Sequence, residues 1–303
     1  MEKGLRLENI SKRYGTMTAV DSLTLTVPSG IVFGLLGPNG AGKTTTLEII
    51  EGLRRPDEGH VWWNDMDVTR NPEHARSHFG MQLQTSAFFE LLTVKETLEL
   101  FHSLYRKRLS VGDLIERLDL TEKQNARVGG LSGGQQQRLA LACALINDPE
   151  VVFLDEPSAG LDPQARRTLW DVILGLKSEG RTVVLTTHYM EEAEVLADRL
   201  AIIDHGHVLD EGTPRELIQR HMPAAVIELS RTVGVDASVD LPAVQRTENR
   251  DEMTILVSDH LENTLVGLVN WAQREGRELT GLTTRSATLE DVFLELTGRS
   301  LRE

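Results

Sequence analysis

Apolar residues fall in two textures along this chain, alternating in some stretches and unbroken in others. Residues 5–10 (LRLENI) and 23–27 (LTLTV) alternate apolar with polar positions, which predicts strands with one face against a core and one toward water. Residues 31–36 (IVFGLL) and 151–154 (VVFL) are apolar at almost every position, the mark of strands covered on both faces. Residues 182–187 (TVVLTT) predict another strand, ending at His188, and residues 59–63 and 79–84 predict two short ones. Helical spacing dominates residues 71–147, with helices expected over 94–104, 111–118 and 136–146. The first of these follows Thr93 and Glu96, a capping-box pair. A further helix is predicted over 43–52, stopping at Gly52.

Near residue 220 the texture changes. Strands are expected at 224–230, 253–257 and 279–284 and helices at 261–274 and 289–296, with residues 231–250 reading as loop. This predicts a large unit over residues 1–219, with a helical part at about 85–147, and a small α+β unit over residues 220–303.

The chemistry concentrates where apolar runs end. After residue 36 comes Gly37-Pro38-Asn39-Gly40-Ala41-Gly42-Lys43-Thr44-Thr45. Its three glycines let the backbone curl so that successive N–H groups point into one concavity, and the helix that follows adds its positive dipole end. The spacing G-x-x-x-x-G-K-[ST] puts Lys43 on the β- and γ-phosphates of a nucleotide and the Thr44 hydroxyl on Mg²⁺. A plain glycine-rich turn has no use for carboxylates downstream, yet the run at 151–154 ends in Asp155 and Glu156. Asp155 is placed to hold Mg²⁺ through water, and Glu156, pointing elsewhere, to polarise an attacking water.

Four other positions have two readings each. Ser132-Gly133-Gly134-Gln135, ahead of a helix, is either a second anion site or a simple N-cap. Tyr14 either stacks on a purine or packs beside its turn. Gln84 either offers an oxygen to a metal or water, or caps its strand. His188 either faces a ligand crevice at the strand's carboxyl end or is structural.

Composition narrows the partners. A net charge of −14 over 303 residues argues against sequence-independent binding to nucleic acid. The single cysteine, Cys143, can form no intrachain disulfide; set in an apolar stretch, it reads as a small core residue. The N-terminal residues carry no signal-peptide pattern, and no apolar run approaches the roughly 18–20 residues of a membrane span. Any membrane role is expected to come through a partner.

Taken in order, these motifs resemble the ATP-binding subunits of ABC transporters over residues 1 to about 220, with Leu131-Ser132-Gly133-Gly134-Gln135 similar to that family's signature motif. The resemblance implies an α/β fold: a P-loop NTPase core with a RecA-like, mostly parallel sheet, an antiparallel β subdomain and a helical subdomain, followed by a small C-terminal α+β domain. It implies ATP and Mg²⁺ as ligands, Tyr14 as the adenine-stacking residue, His188 as the switch histidine and Gln84 as the metal-side and coupling residue, with Gln82 the second candidate. Ser158-Ala159-Gly160-Leu161-Asp162 is similar to the family's D-loop. Two chains would pair head to tail, Ser132 and Gly134 of one closing over the nucleotide on the other. A separate membrane permease would hold the pair at the cytoplasmic face of the membrane, with Phe88-Phe89-Glu90 as a candidate contact. Residues 187–194 (THYMEEAE) and 287–298 resemble drug-resistance and ABC-2 type exporter ATPases, so export is the expected direction.

Overall fold

The structure, a computed structural model, describes residues 3–83, 87–222, 225–236 and 238–298. The chain opens with a long hairpin, β1 (Gly4–Tyr14) and β2 (Met17–Pro28), paired antiparallel. Strand β3 (Val32–Leu36) leads through the glycine-rich loop into helix α1 (Lys43–Ile50). Strands β4 (Glu58–Trp63) and β5 (Met66–Asp67), the short helix α2 (Pro72–Arg76) and β6 (Phe79–Gln82) follow. A helical stretch holds α3 (Val94–Ser103), α4 (Val111–Arg117) and α5 (Gly133–Leu145). Both halves of the capping box are formed at α3, between Thr93 and Glu96. Then come β7 (Val151–Asp155), α6 (Pro163–Ser178), β8 (Thr182–Thr187), α7 (Met190–Leu196), β9 (Arg199–Asp204) and β10 (His207–Gly212).

Two sheets organise this first unit, which runs to Pro214. One is antiparallel, in the order β2-β1-β4-β5; the other, in the order β10-β9-β3-β8-β7-β6, is parallel except for β10. Every residue of β3, β7 and β8 is buried, because apolar clusters cover both faces. Phe33, Leu35, Val151, Phe153 and Val184 join Leu47, Ile49 and Ile50 of α1 on one face. Val32, Val152, Leu154, Val183 and Leu185 pack on the other with Leu139, Leu169 and Ile173. Parallel strands present all their carboxyl ends at one edge, so the polar residues that terminate β3, β7 and β8 lie side by side.

The second unit spans Arg215–Gly298. It begins in α8 (Pro214–His221) and holds β11 (Ala225–Ser230), β12 (Val244–Arg250), β13 (Met253–Ser258), α9 (Leu261–Glu275), β14 (Thr283–Ser286) and α10 (Leu289–Thr297). The sheet order is β12-β13-β11-β14, all antiparallel, with Leu268 of α9 packed on Ile227, Leu229 and Leu256. The expectation of loop over 231–250 is corrected by β12. This is an edge strand of sequence VQRTENR, formed by backbone pairing to β13 with no apolar alternation to announce it. The strand expected at 279–284 is likewise shifted, to Thr283–Ser286.

Candidate functional site at the carboxyl edge of the parallel sheet

The loop between β3 and α1 is shaped by close backbone approach. Gly42, the residue before α1, has φ of 99°, and a Cβ there would lie 2.3 Å from the Ala19 carbonyl oxygen. A Cβ on Gly37 would meet the Ile203 carbonyl oxygen at the same 2.3 Å. With Gly42 as its N-cap, α1 has no side-chain cap, so the first N–H groups of the helix are left for a ligand. Lys43 is 7 % exposed, and its ammonium donates to the carbonyls of Gly37 (2.8 Å) and Pro38 (3.0 Å). Burial pulls its pKa below the usual lysine value, opposed by the nearby charges of Glu156 and Asp155.

Sheet order brings the distant polar residues to this loop. β8 lies between β3 and β7, pairing Leu36 with Thr187 and Asp155 with Thr186. Thr44 Oγ1 donates to Asp155 Oδ2 at 3.5 Å, and Thr186 Oγ1 donates to the other carboxylate oxygen. Burial raises the Asp155 pKa, and the Thr186 hydrogen bond partly offsets that rise. The Thr186 hydroxyl also accepts from the Glu156 N–H at 3.0 Å. Glu156 has φ of 49°, a left-handed conformation that costs a non-glycine residue about 1 kcal/mol. The turn sends its side chain to His188, whose Nδ1 lies 3.3 Å from Glu156 Oε2. Sequence reasoning missed Thr186, although a threonine inside a strand of valines and leucines was a visible signal.

Thr44 and Asp155 are hard oxygen donors, suited to an ion that takes one or two protein oxygens and completes its shell from water and phosphate, as Mg²⁺ does. Among the described residues no group of three His, Cys, Asp or Glu forms a metal cage of the protein's own.

Other candidates are placed as follows. Ser132 is exposed and caps α5: its hydroxyl accepts from Gln135 N at 3.3 Å, while Gln135 Oε1 accepts from Ser132 N at 3.0 Å. Among the described residues, no hydrogen bond or ion pair joins residues 132–135 to the loop at 37–45. Tyr14 ends β1 with its ring facing the Arg54 guanidinium, 5.3 Å from the ring centroid. Gln84 lies outside the described residues. Gln82, the second candidate, ends β6 beside Leu154, 1 % exposed, and its amide has no hydrogen-bond partner among the described residues. Phe88 and Phe89 part company: Phe88 packs on Phe101 with ring centroids 6.3 Å apart, whereas Phe89 is 68 % exposed. Cys143 packs against the helical cluster, and burial pushes its thiol up to about 12.

A parallel sheet whose first strand feeds a glycine-rich loop and a helix, with paired carboxylates at the end of the strand two places along, defines a P-loop nucleotide hydrolase core. Residues 20–159 match the ABC transporter family, and residues 225–288 match the family described as ABC transporter domain-containing protein-like, C-terminal domain. The chain is 40 % identical to the Nod factor export ATP-binding protein I of Sinorhizobium fredii, over 99 % of this chain and 87 % of that protein. Identity is 41 % to the Nod factor export ATP-binding protein I of Burkholderia pseudomallei, over 97 % of each chain. It is 39 % to a daunorubicin resistance ATP-binding protein of Streptomyces coeruleorubidus, over 99 % and 98 %. Among solved structures, the chain is similar to a dimeric ATP-binding cassette in a post-hydrolysis state bound to ADP and phosphate. That likeness has a TM-score of 0.63 at 28 % identity, over 69 % of this chain and 98 % of that one. It is similar also to an ABC transporter cassette in its ADP conformation, with a TM-score of 0.65 at 28 % identity over 74 % and 96 %. The chain belongs to the ATP-binding subunits of ABC transporters, and is an ATP-binding, ATP-hydrolysing protein of that family. Among the described residues no helix is long and apolar enough to cross a membrane.

Proposed function

We propose that two copies of this chain, paired head to tail, hydrolyse ATP at two shared sites and so drive export through a separate membrane permease at the cytoplasmic face of the membrane. The loop N–H groups from Gly37 to Thr45 and the Lys43 ammonium hold the phosphates, Lys43 exchanging its two loop carbonyls for phosphate oxygens. Tyr14 stacks on the adenine. Thr44, Asp155 and Gln84 would hold Mg²⁺, which would supply charge neutralisation for the phosphates when bound. Glu156 accepts the proton of the attacking water, and His188 steadies that carboxylate and the γ-phosphate.

Ser132, Gly133, Gly134 and Gln135 act on the nucleotide of the second chain. What supports this is the exposure of Ser132 and Gly133 at the start of α5 and the absence, among the described residues, of any bond to their own loop. The dimeric cassettes among the similar structures support pairing, and the Nod factor export proteins among the relatives support the direction. A groove of about 430 Å³, with Phe101, Tyr105 and Met81 along it and the charged Glu73 and Arg76 also in its lining, offers the permease a seat of mixed character. The exposed side chains of Phe89 and Leu91 stand on the segment that leads into α3.

The observation that carries the reading is the Glu156–His188 contact beside Asp155, Thr44 and Lys43. Glu156→Gln keeps the shape and hydrogen bonding of the side chain but cannot take a proton. The purified variant should bind ATP as the native chain does, turn it over at least a hundredfold more slowly and accumulate as a closed dimer with ATP. Steady-state turnover near the native rate would overturn the assignment.

A further inference from the structure

Helix α6 opens at Asp162, whose carboxylate accepts from Gln164 N and Ala165 N at 3.0 and 2.9 Å. Arg166 and Trp170 lie one turn apart on the same face. That face meets the segment leaving β8. The Arg166 guanidinium lies 5.1 Å from the Tyr189 ring centroid and 5.8 Å from that of Trp170. The Trp170 indole N–H donates at 2.9 Å to Glu192, fully buried on α7, which fixes the start of that helix against α6. Tyr189 also packs on His188, with ring centroids 4.1 Å apart and planes inclined by 40°. Its backbone N–H is held by the Thr187 hydroxyl at 3.0 Å. The series therefore runs unbroken from a guanidinium through a phenol ring to an imidazole, and by His188 Nδ1 to Glu156 at 3.3 Å.

His188 has a side chain 30 % exposed, at the rim of the site. A half-exposed imidazole has two free torsions, and a single long contact to a carboxylate at 3.3 Å does not fix both. The ring packed at 4.1 Å limits rotation about the second torsion, and the guanidinium 5.1 Å from that ring's centroid holds the ring itself. We propose that Tyr189, clamped by Arg166, is a positioning residue that keeps the His188 imidazole turned toward Glu156, so that losing the ring at 189 slows ATP turnover without weakening ATP binding. This rests on the role given to His188 and Glu156 above.

The test uses the purified full-length chain with MgATP, reading kcat, KM, ATP binding and Tm for Tyr189→Ala, Tyr189→Phe, Arg166→Gln and His188→Ala. Tyr189→Ala should lower kcat about three- to tenfold with KM and ATP affinity unchanged. Tyr189→Phe, which keeps the ring, should restore kcat, and Arg166→Gln should fall between. Arg166→Gln carries the same test should Tyr189→Ala fail to fold. Positioning is overturned if His188→Ala abolishes turnover while Tyr189→Ala does not slow it. It is overturned equally if Tyr189→Phe is as slow as Tyr189→Ala, or if the loss appears in KM. His188→Ala with native turnover would instead overturn the role given to His188.

Discussion

Glu51 closes α1 and is 1 % exposed, with one carboxylate oxygen lacking a hydrogen-bond partner among the described residues. Burial, with the charges of Asp155 and Glu48 nearby, pushes its pKa from 4.5 to about 8. Below pH 4.5 the group is protonated folded and unfolded alike, and the fold carries no penalty. As pH rises, the unfolded chain releases its proton first, so stability falls until the folded pKa near 8 is passed. At about 1.4 kcal/mol per pH unit, the whole window costs about 5 kcal/mol, and the span from pH 6 to 7.5 costs about 2 kcal/mol. Glu51→Gln removes the titration while keeping the shape. Whatever the fixed cost of the amide, the variant should gain about 2 kcal/mol on the native chain between pH 6 and 7.5, or about 4–8 °C in Tm for a unit of this size. Denaturant unfolding of both chains across that range measures the gap, since all other titrating groups are common to the two. Parallel stability curves would show that Glu51 is ionised at neutral pH and that the reasoning from its burial is wrong.

Lys43→Ala removes a buried cation that bonds two loop carbonyls, and should weaken ATP binding about 10- to 100-fold, measured by titration with the nucleotide. Thr186→Val is close to isosteric but removes the donor to Asp155 and the acceptor for Glu156 N–H; it should cost about 1.5–3 kcal/mol of stability and slow turnover at least tenfold. An unfolding midpoint and a steady-state rate equal to native would contradict the role given to that hydroxyl. Cys143, with a thiol pKa near 12, should resist an aromatic disulfide reagent at pH 8 and react fully once denaturant is added.

Much of this was written locally. The unbroken apolar runs became β3, β7 and β8, because a strand buried on both faces has only apolar neighbours to satisfy. The capping pair Thr93 and Glu96 marked one helix start, while Ser132, readable as an N-cap or an anion site, stood ahead of another, and α5 begins three residues before its expected position, at Gly133. The glycine-rich loop between β3 and α1 was equally legible from its spacing, although the carbonyls that crowd Gly37 and Gly42, those of Ile203 and Ala19, are distant in sequence. β12 escaped because an edge strand of polar residues exists only by pairing to β13, a contact no local pattern encodes. The hydrogen bonds of Thr186 and the burial of Glu51 escaped for a related reason: hydrogen bonding and burial belong to whatever packs around a side chain.

By itself, then, the sequence determined where a tight glycine-rich loop leads into a helix and where carboxylates end an apolar strand, because loop curvature and strand ends are properties of neighbours along the chain. Tertiary structure decided which of them meet. Glu156 and His188 are 32 positions apart and touch only because β7 lies beside β8, and the loop after β3 joins them only because β3 pairs with the other edge of β8. Strand order is set by the packing of both faces of the sheet at once, and that is a property of the whole unit.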